Sequence, residues 1–392
     1  MNAADTAFIL IATALVLFMT LPGLALFYGG LVRGRNVLSV FTHCFAIAAI
    51  ASVLWLVAGY SLAFTEGNGW IGGLSRLFLD GVTGETLKGS LPEVLFFTYQ
   101  MTFAIITPAL IVGAYVERVG FGFVMLFSAL WLMLVYVPVT HWIWGGGMMA
   151  DGGIFGAVGV RDFAGGIVVH ETAGLAALLL AVAIGPRKHR TTPPHQPGMV
   201  MMGAGMLWVG WFGFNGGSAL AANGQAAMAI TVTHLSAAAA GITWAIWERI
   251  KFGRISTIGL VTGMVAGLAS ITPASGFVGP VAALVIGGVA GVLCQEAVVL
   301  VKGRLRIDDT LDVFGVHGVG GIFGTLMVAV FGGASWTAQV GGLVIVGVWT
   351  CAVTWGLIKL VGLVAPLRVD LETETNGLDL SVHGERAYEL NS

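Results

Sequence analysis

DFAGGIVVHETAGLAALLLAVAIG, residues 162–185, is an apolar run long enough to cross a bilayer, yet it carries a histidine and a glutamate in its first half. A spanning helix needs about 20 apolar residues, and ionisable side chains inside one are rare because hydrocarbon solvates them poorly. His170 follows Asp162 by eight residues. The spacing recurs in DTLDVFGVHGVGGIFGTLMVAVF, residues 309–331, where His317 follows Asp309 by eight. A second pair of landmarks keeps the same order: Phe27-Tyr28-Gly29-Gly30 ends one run, and Phe214-Asn215-Gly216-Gly217 ends another.

Working outward from these stretches, apolar runs between charged or Gly/Pro-rich breaks give eleven spans. They lie at about 6–31, 39–64, 93–115, 121–142, 163–185, 198–218, 226–248, 256–273, 278–301, 311–332 and 338–362. Composition agrees, with 57% of the 392 residues hydrophobic and only 10% charged; a soluble domain has about 25% charged residues. A formal net charge of −2 argues against a nucleic-acid partner. Cys44, Cys294 and Cys351 lie far apart and suggest no disulfide framework. The expected fold is an all-α polytopic membrane protein.

Lys and Arg segregate when the spans are joined in order. Arg33, Arg35, Arg118, Arg187, Lys188, Arg190, Arg249, Lys251, Arg254, Lys302, Arg304, Arg306, Lys359, Arg368 and Arg386 fall on one side, and Arg76, Lys88 and Arg161 on the other. The positive-inside rule then places the N-terminus outside and the C-terminus in the cytoplasm. Five spans separate the members of each landmark pair. An odd number per repeat inverts one half relative to the other, and such repeats place a site near the midplane. The expected organisation is a membrane domain at 1–365, with inverted repeats at about 6–185 and 198–332 and a final helix at about 338–362. A polar, acidic tail follows at 366–392 and reads as a regulatory or docking segment.

Related positions in inverted halves bring His170 and His317 together. Paired imidazoles can relay a proton or hydrogen-bond a small polar solute; the competing reading is two packing histidines with separate partners. His43, His141 and His234 lack repeat-related partners and read as structural. Glu171 is expected to be neutral and hydrogen-bonded in a helix interface, with a role in ion passage as the alternative. Asp162 is read as a helix cap, with a role before the pore as the alternative, and Asp308, Asp309 and Asp312 as caps before or within the first turns of the tenth span. Trp144, Phe103, Trp211, Phe212, Phe214 and Ser218 gather toward one end. Aromatic faces with a hydroxyl can hold a small cation, although an interfacial aromatic belt would look the same. Gly259, Gly263 and Gly267, with Gly287/Gly291 and Gly320/Gly324, read as helix-packing faces. No metal-ligand cluster and no nucleophile–base set stands out, so neither enzyme nor cofactor is expected.

Five stretches carry a resemblance: TALVLFMTLPGLALFYGGLVRGRNVLS (13–39), DFAGGIVVH (162–170), GWFGFNGGSA (210–219), DDTLDVFGVHG (308–318) and GLDLSVHGERAYE (377–389). The sequence resembles the bacterial Amt branch of the Amt/Mep/Rh ammonium transporters over essentially its whole length. The resemblance implies a homotrimer of eleven-helix protomers in the inner membrane, each with a narrow hydrophobic pore for nitrogen uptake. It implies outer ammonium recruitment by Trp144, Phe103 and Ser218, with Asp162 in support, and a gate of Phe103 and Phe214. Trp211 and the twin histidines His170 and His317 would line the pore. The tail at 366–392 would meet a cytoplasmic PII-type signalling protein. Ammonium would lose its proton and cross as ammonia, the proton being relayed. A passive ammonia channel and an ammonium sensor with little flux are the alternatives. The chain differs from a well-known member at Glu171, where that member carries an aliphatic residue.

Overall fold

The computed structural model describes residues 1–189 and 193–388 and is almost entirely helical. Among the described residues, ten helices are long and apolar enough to span a membrane: α1 (Ala3–Leu31), α2 (Val37–Phe64), α3 (Glu93–Tyr115), α4 (Phe121–Ile143), α5 (Gly166–Ile184), α6 (Pro197–Gly216), α7 (Gly224–Phe252), α9 (Pro280–Arg304), α10 (Phe314–Phe331) and α11 (Trp336–Gly362). The eighth expected span is the shorter apolar helix α8 (Thr257–Ile271). Irregular chain continues it, with Thr272, Ala274 and Ser275 fully buried. Non-helical backbone at membrane depth is tolerated where protein surrounds it. Between α2 and α3 a small hairpin pairs β1 (Leu87–Lys88) with β2 (Leu91–Pro92).

Glycine sets how closely the helices approach. A Cβ on Gly174 of α5 would lie 2.3 Å from the Gly318 Cα of α10, and one on Gly321 would lie 2.5 Å from the Gly166 carbonyl. Gly174 and Gly321 each stand four residues after a histidine, so the contact is reciprocal and draws both histidines to one crossing. The expected small-residue faces pack likewise: Gly263 and Gly267 of α8 and Gly287 and Gly291 of α9 meet the Ser236–Trp244 segment of α7. Without a hydrophobic driving force between helices in lipid, such close backbone contact supplies the packing.

An ionic network ties the arginine-rich end together. Glu117 accepts from Arg33 at 3.2 Å and Arg187 at 3.0 Å, and Arg187 also pairs with Asp308 at 3.0 Å. The buried Arg118 donates to the carbonyls of Asp308, Gly185 and Ala114. Two cap expectations fail here. Asp309 caps α10 through Val313 and Phe314 N–H, but Asp308 lies too far before Phe314 and faces Arg187 instead. Asp312, in a left-handed backbone conformation, pairs with Lys302.

The tail is a folded strap rather than a loose segment. Helices α12 (Leu371–Asn376) and α13 (Leu378–His383) lie against the arginine-rich end. The buried Glu374 accepts from Arg368 and the Lys188 backbone, and Asp379 takes the Leu38 and Ser39 N–H groups. Arg190, one of the cationic residues assigned to the cytoplasmic side, and Glu389, the last residue of the 377–389 stretch, lie outside the described residues, as does the tail beyond 388.

Burial pushes the Glu117 and Asp308 carboxyls up, but Arg187 and its neighbours more than offset this and hold both below the usual carboxylate range. A carboxylate with a lowered native pKa adds stability in full above its unfolded value, about 4, and loses it as pH falls through the native value. Proteolytic cleavage in detergent of the loops that carry Glu117 and Asp308 should therefore be unchanged from pH 7 to about 5 and accelerate below about 4. Equal cleavage of these loops down to pH 3 would contradict this.

Candidate functional site

The histidines sit on wide helical turns. At the start of α5 the Asp162 carboxylate accepts four backbone N–H groups, from Gly165, Gly166, Ile167 and Val168, at 2.6–3.0 Å. Gly165 has φ +119° and turns the chain into the helix. The His170 N–H then reaches five residues back to the Gly165 carbonyl, a π-type bond. Such wide turns recur at functional positions because they re-aim a side chain. His317 lies on the corresponding π-type turn of α10, Phe314–Gly318.

The two rings lie 5.2 Å apart, nearly parallel at 20°, with Nδ1 facing Nδ1 at 3.3 Å. At that contact one ring must donate and the other accept. A neutral pair is therefore asymmetric, one ring presenting a bare Nε2 and the other an Nε2–H. Both rings are buried, and His170 Nε2 has no protein partner. Separate packing histidines would not face each other in this way.

Beside them is a void of about 10 Å³, room for about one water-sized sphere. Its lining is apolar apart from the two imidazoles and the Trp211 indole. Trp211 stacks 5.5 Å from His170, and its N–H is turned away to Thr272 Oγ1 at 2.9 Å.

Phe214 lines the void and Phe103 lines the space beyond, and the two rings, with centroids 4.3 Å apart, stand between them. Beyond Phe103 opens a vestibule of about 280 Å³, lined by Trp144, Phe96, Gln100 and Ser218 among others. Phe103 meets Trp144 edge-on at 6.0 Å, and Trp144 Nε1 donates to the Asp162 carbonyl at 2.7 Å. Asp162 thus positions both the histidine turn and the vestibule indole. Ser218 Oγ donates to the Phe214 carbonyl, which leaves its lone pairs free to accept.

Seven residues singled out in the sequence lie along one path, from Trp144, Ser218 and Phe103 through Phe214 to Trp211, His170 and His317; Asp162 stands behind it, and Phe212 packs on His234 instead. Sequence reasoning assigned no role to Tyr99, whose hydroxyl holds the Gly213 and Phe214 carbonyls, or to Thr272. Gln100 was also passed over, although its Oε1 is buried without a partner. Tyr99 could have been found from its helical spacing to Phe103; Thr272 lies in irregular chain and has no such signal.

His43 stacks on Phe121, His141 bonds the Ala63 and Asn68 carbonyls, and His234 packs on Trp208. Glu171 lies in a helix interface as expected, but its carboxyl makes no hydrogen bond among the described residues. Its Oε2 is buried without a partner, and the carboxyl faces Gly347 of α11, which offers no side-chain donor. An unsatisfied buried polar group costs about 1–3 kcal/mol. Glu171→Met should therefore stabilise the protein by about that amount in detergent unfolding, and a clear loss of stability would contradict the assignment.

A family model described as Ammonium Transporter Family matches residues 7–388. A relative from Methanothermobacter thermautotrophicus is 47% identical, covering 100% of this chain and 99% of its own. The ammonium transporter of Bacillus subtilis is 43% identical, covering 99% of both chains. The crystal structure of Saccharomyces cerevisiae Mep2 aligns with a TM-score of 0.85 at 36% identity, covering 94% of this chain and 90% of that one.

Proposed function

The chain belongs to the ammonium transporter family, and from that premise we propose how its geometry moves the substrate. It is a multi-pass membrane protein and an ammonium transporter, not an enzyme. The observation that carries the proposed mechanism is the void between Phe214 and the histidines, too small and too apolar for a hydrated ion. An ion of fixed charge would lose its water there with little to replace it. Potassium has no way around that cost. Ammonium can leave its proton behind.

In this cycle Trp144 and Phe103 attract NH4+ by their ring faces, with about 0.5–2 kcal/mol from each. Ser218 Oγ accepts one N–H, and Asp162 holds Trp144 in place without touching the ion. At the Phe103–Phe214 gate the ion gives up a proton to the imidazole of the pair whose Nε2 is bare, and neutral NH3 enters the passage lined by Trp211, His170 and His317. The hydrogen shared between the facing Nδ1 atoms lets the pair take up a proton on one ring and release one from the other. One charge then accompanies each ammonia, so transport is electrogenic. With the arginine-rich end in the cytoplasm, the vestibule faces outward and the direction is uptake across the inner membrane.

Purified protein in proteoliposomes should give a saturable ammonium-evoked current and none with potassium. Internal alkalinisation without current would replace this reading with a neutral ammonia channel. Neither signal would favour a sensor.

The same reading extends to a homotrimer, and to a PII-type signalling protein acting through the tail at 366–392. The strap's contacts with Leu38, Ser39 and Lys188 support the second, because a partner that moved it would pull on the ends of α2 and α5. Native mass measurement and co-purification with and without the tail test these two parts.

A further inference from the structure

A cavity beside the vestibule already contains a primary ammonium group belonging to the protein itself, that of Lys88. Helix α2 ends at Phe64, where the last carbonyls of a helix lack intrahelical donors and carry partial negative charge. The Ala63 carbonyl is taken by His141. The Phe64 carbonyl is taken by Lys88 Nζ at 3.2 Å. The same Nζ lies 6.0 Å from the centroid of the Phe96 ring, which meets Phe64 edge-on at 5.0 Å.

These residues are part of the entry path. A cavity of about 480 Å³ lined by Lys88, Phe64, Phe96 and Trp144 adjoins the 280 Å³ vestibule, which shares Phe64, Phe96 and Trp144 with it. The lysine is held in place by the hairpin. Lys88 pairs with Leu91, Gly89 turns at φ +61°, and the Ser90 carbonyl accepts the Asn2 N–H.

We propose that the Phe64 carbonyl and the Phe96 ring form an entry subsite for ammonium, and that Lys88 occupies it as a tethered competitor. A carbonyl and an aromatic face that hold –NH3⁺ present the same chemistry to NH4⁺, which differs only in carrying a fourth hydrogen in place of the carbon stem. The short tether keeps the competitor at high effective concentration. Substrate therefore enters by displacing Lys88, and the lysine sets the concentration at which the vestibule fills. The inference rests on the vestibule being the entry for ammonium.

The test is the KM of the ammonium-evoked current in proteoliposomes for the unaltered protein, Lys88→Gln, Phe96→Leu and the double variant. Removing the competitor should lower KM about two- to fivefold, the range of an exposed cation–π contact. In the Phe96→Leu background the same change should move KM less, because the aromatic half of the contested subsite is gone. An unchanged or higher KM in Lys88→Gln overturns the proposal. So does an equal fall in both backgrounds, which would mean long-range charge repulsion alone. If the unaltered protein gives no saturable ammonium current, the entry reading itself fails and takes the subsite with it.

Discussion

Truncating either imidazole of the buried pair, by His170→Ala or His317→Ala, should abolish selective ammonium current. The two Nδ1 atoms lie 3.3 Å apart in a lining that offers no other group able to take up and pass on a proton. A positioned proton-transfer group contributes about 10²–10⁴ in rate, so a fall of at least about 100-fold is expected. Truncation also widens the passage, and any residual current should discriminate less against potassium. Both effects are read in one proteoliposome experiment with the two cations compared. Undiminished, selective current in both variants would remove the relay role.

Asp162→Ala should be the most damaging change that touches no part of the path. Its carboxylate accepts four N–H groups at the start of α5, and its carbonyl takes the Trp144 indole N–H. Leaving several buried donors unpaired costs about 1–3 kcal/mol each before relaxation, so a net loss of about 3–5 kcal/mol is expected. Asp162→Asn should recover little of it. Both carboxylate oxygens are accepting, and an amide would turn its own N–H₂ toward donors. Detergent unfolding and ammonium current should fall together in both variants. Stability within about 1 kcal/mol of the unaltered protein would show that the cap does not hold α5.

The spans were legible because hydropathy is a per-residue property that no distant contact can reverse. Runs ending near residues 31, 64, 115 and 362 end there in the structure. The histidine pair was legible because two identical spacings in related halves imply one meeting point. What stayed hidden depends on partners supplied from elsewhere in the chain. Asp308 has the composition and position of a cap, but Arg187 arrives 121 residues earlier in sequence and claims it. The tail has the composition of a solvated segment, and only Arg368 with the backbone N–H groups of Leu38, Ser39 and Lys188 makes its carboxylates structural. The π-type turns that aim His170 and His317 have no sequence signal of their own. Glu171 shows the reverse case: its burial was legible, but the missing donor follows from a glycine on the final helix.

The separation of ammonia from its proton is tested most directly by the saturating ammonium current in H2O and in D2O. Potassium current through an unrelated pore in the same baths serves as the control for solvent. Breaking an N–H bond at the gate and passing the proton between two imidazoles predicts that the ammonium current slows in D2O well beyond the control. Equal slowing of the two currents would mean that ammonium crosses as the intact ion, and the twin histidines would then be lining rather than relay.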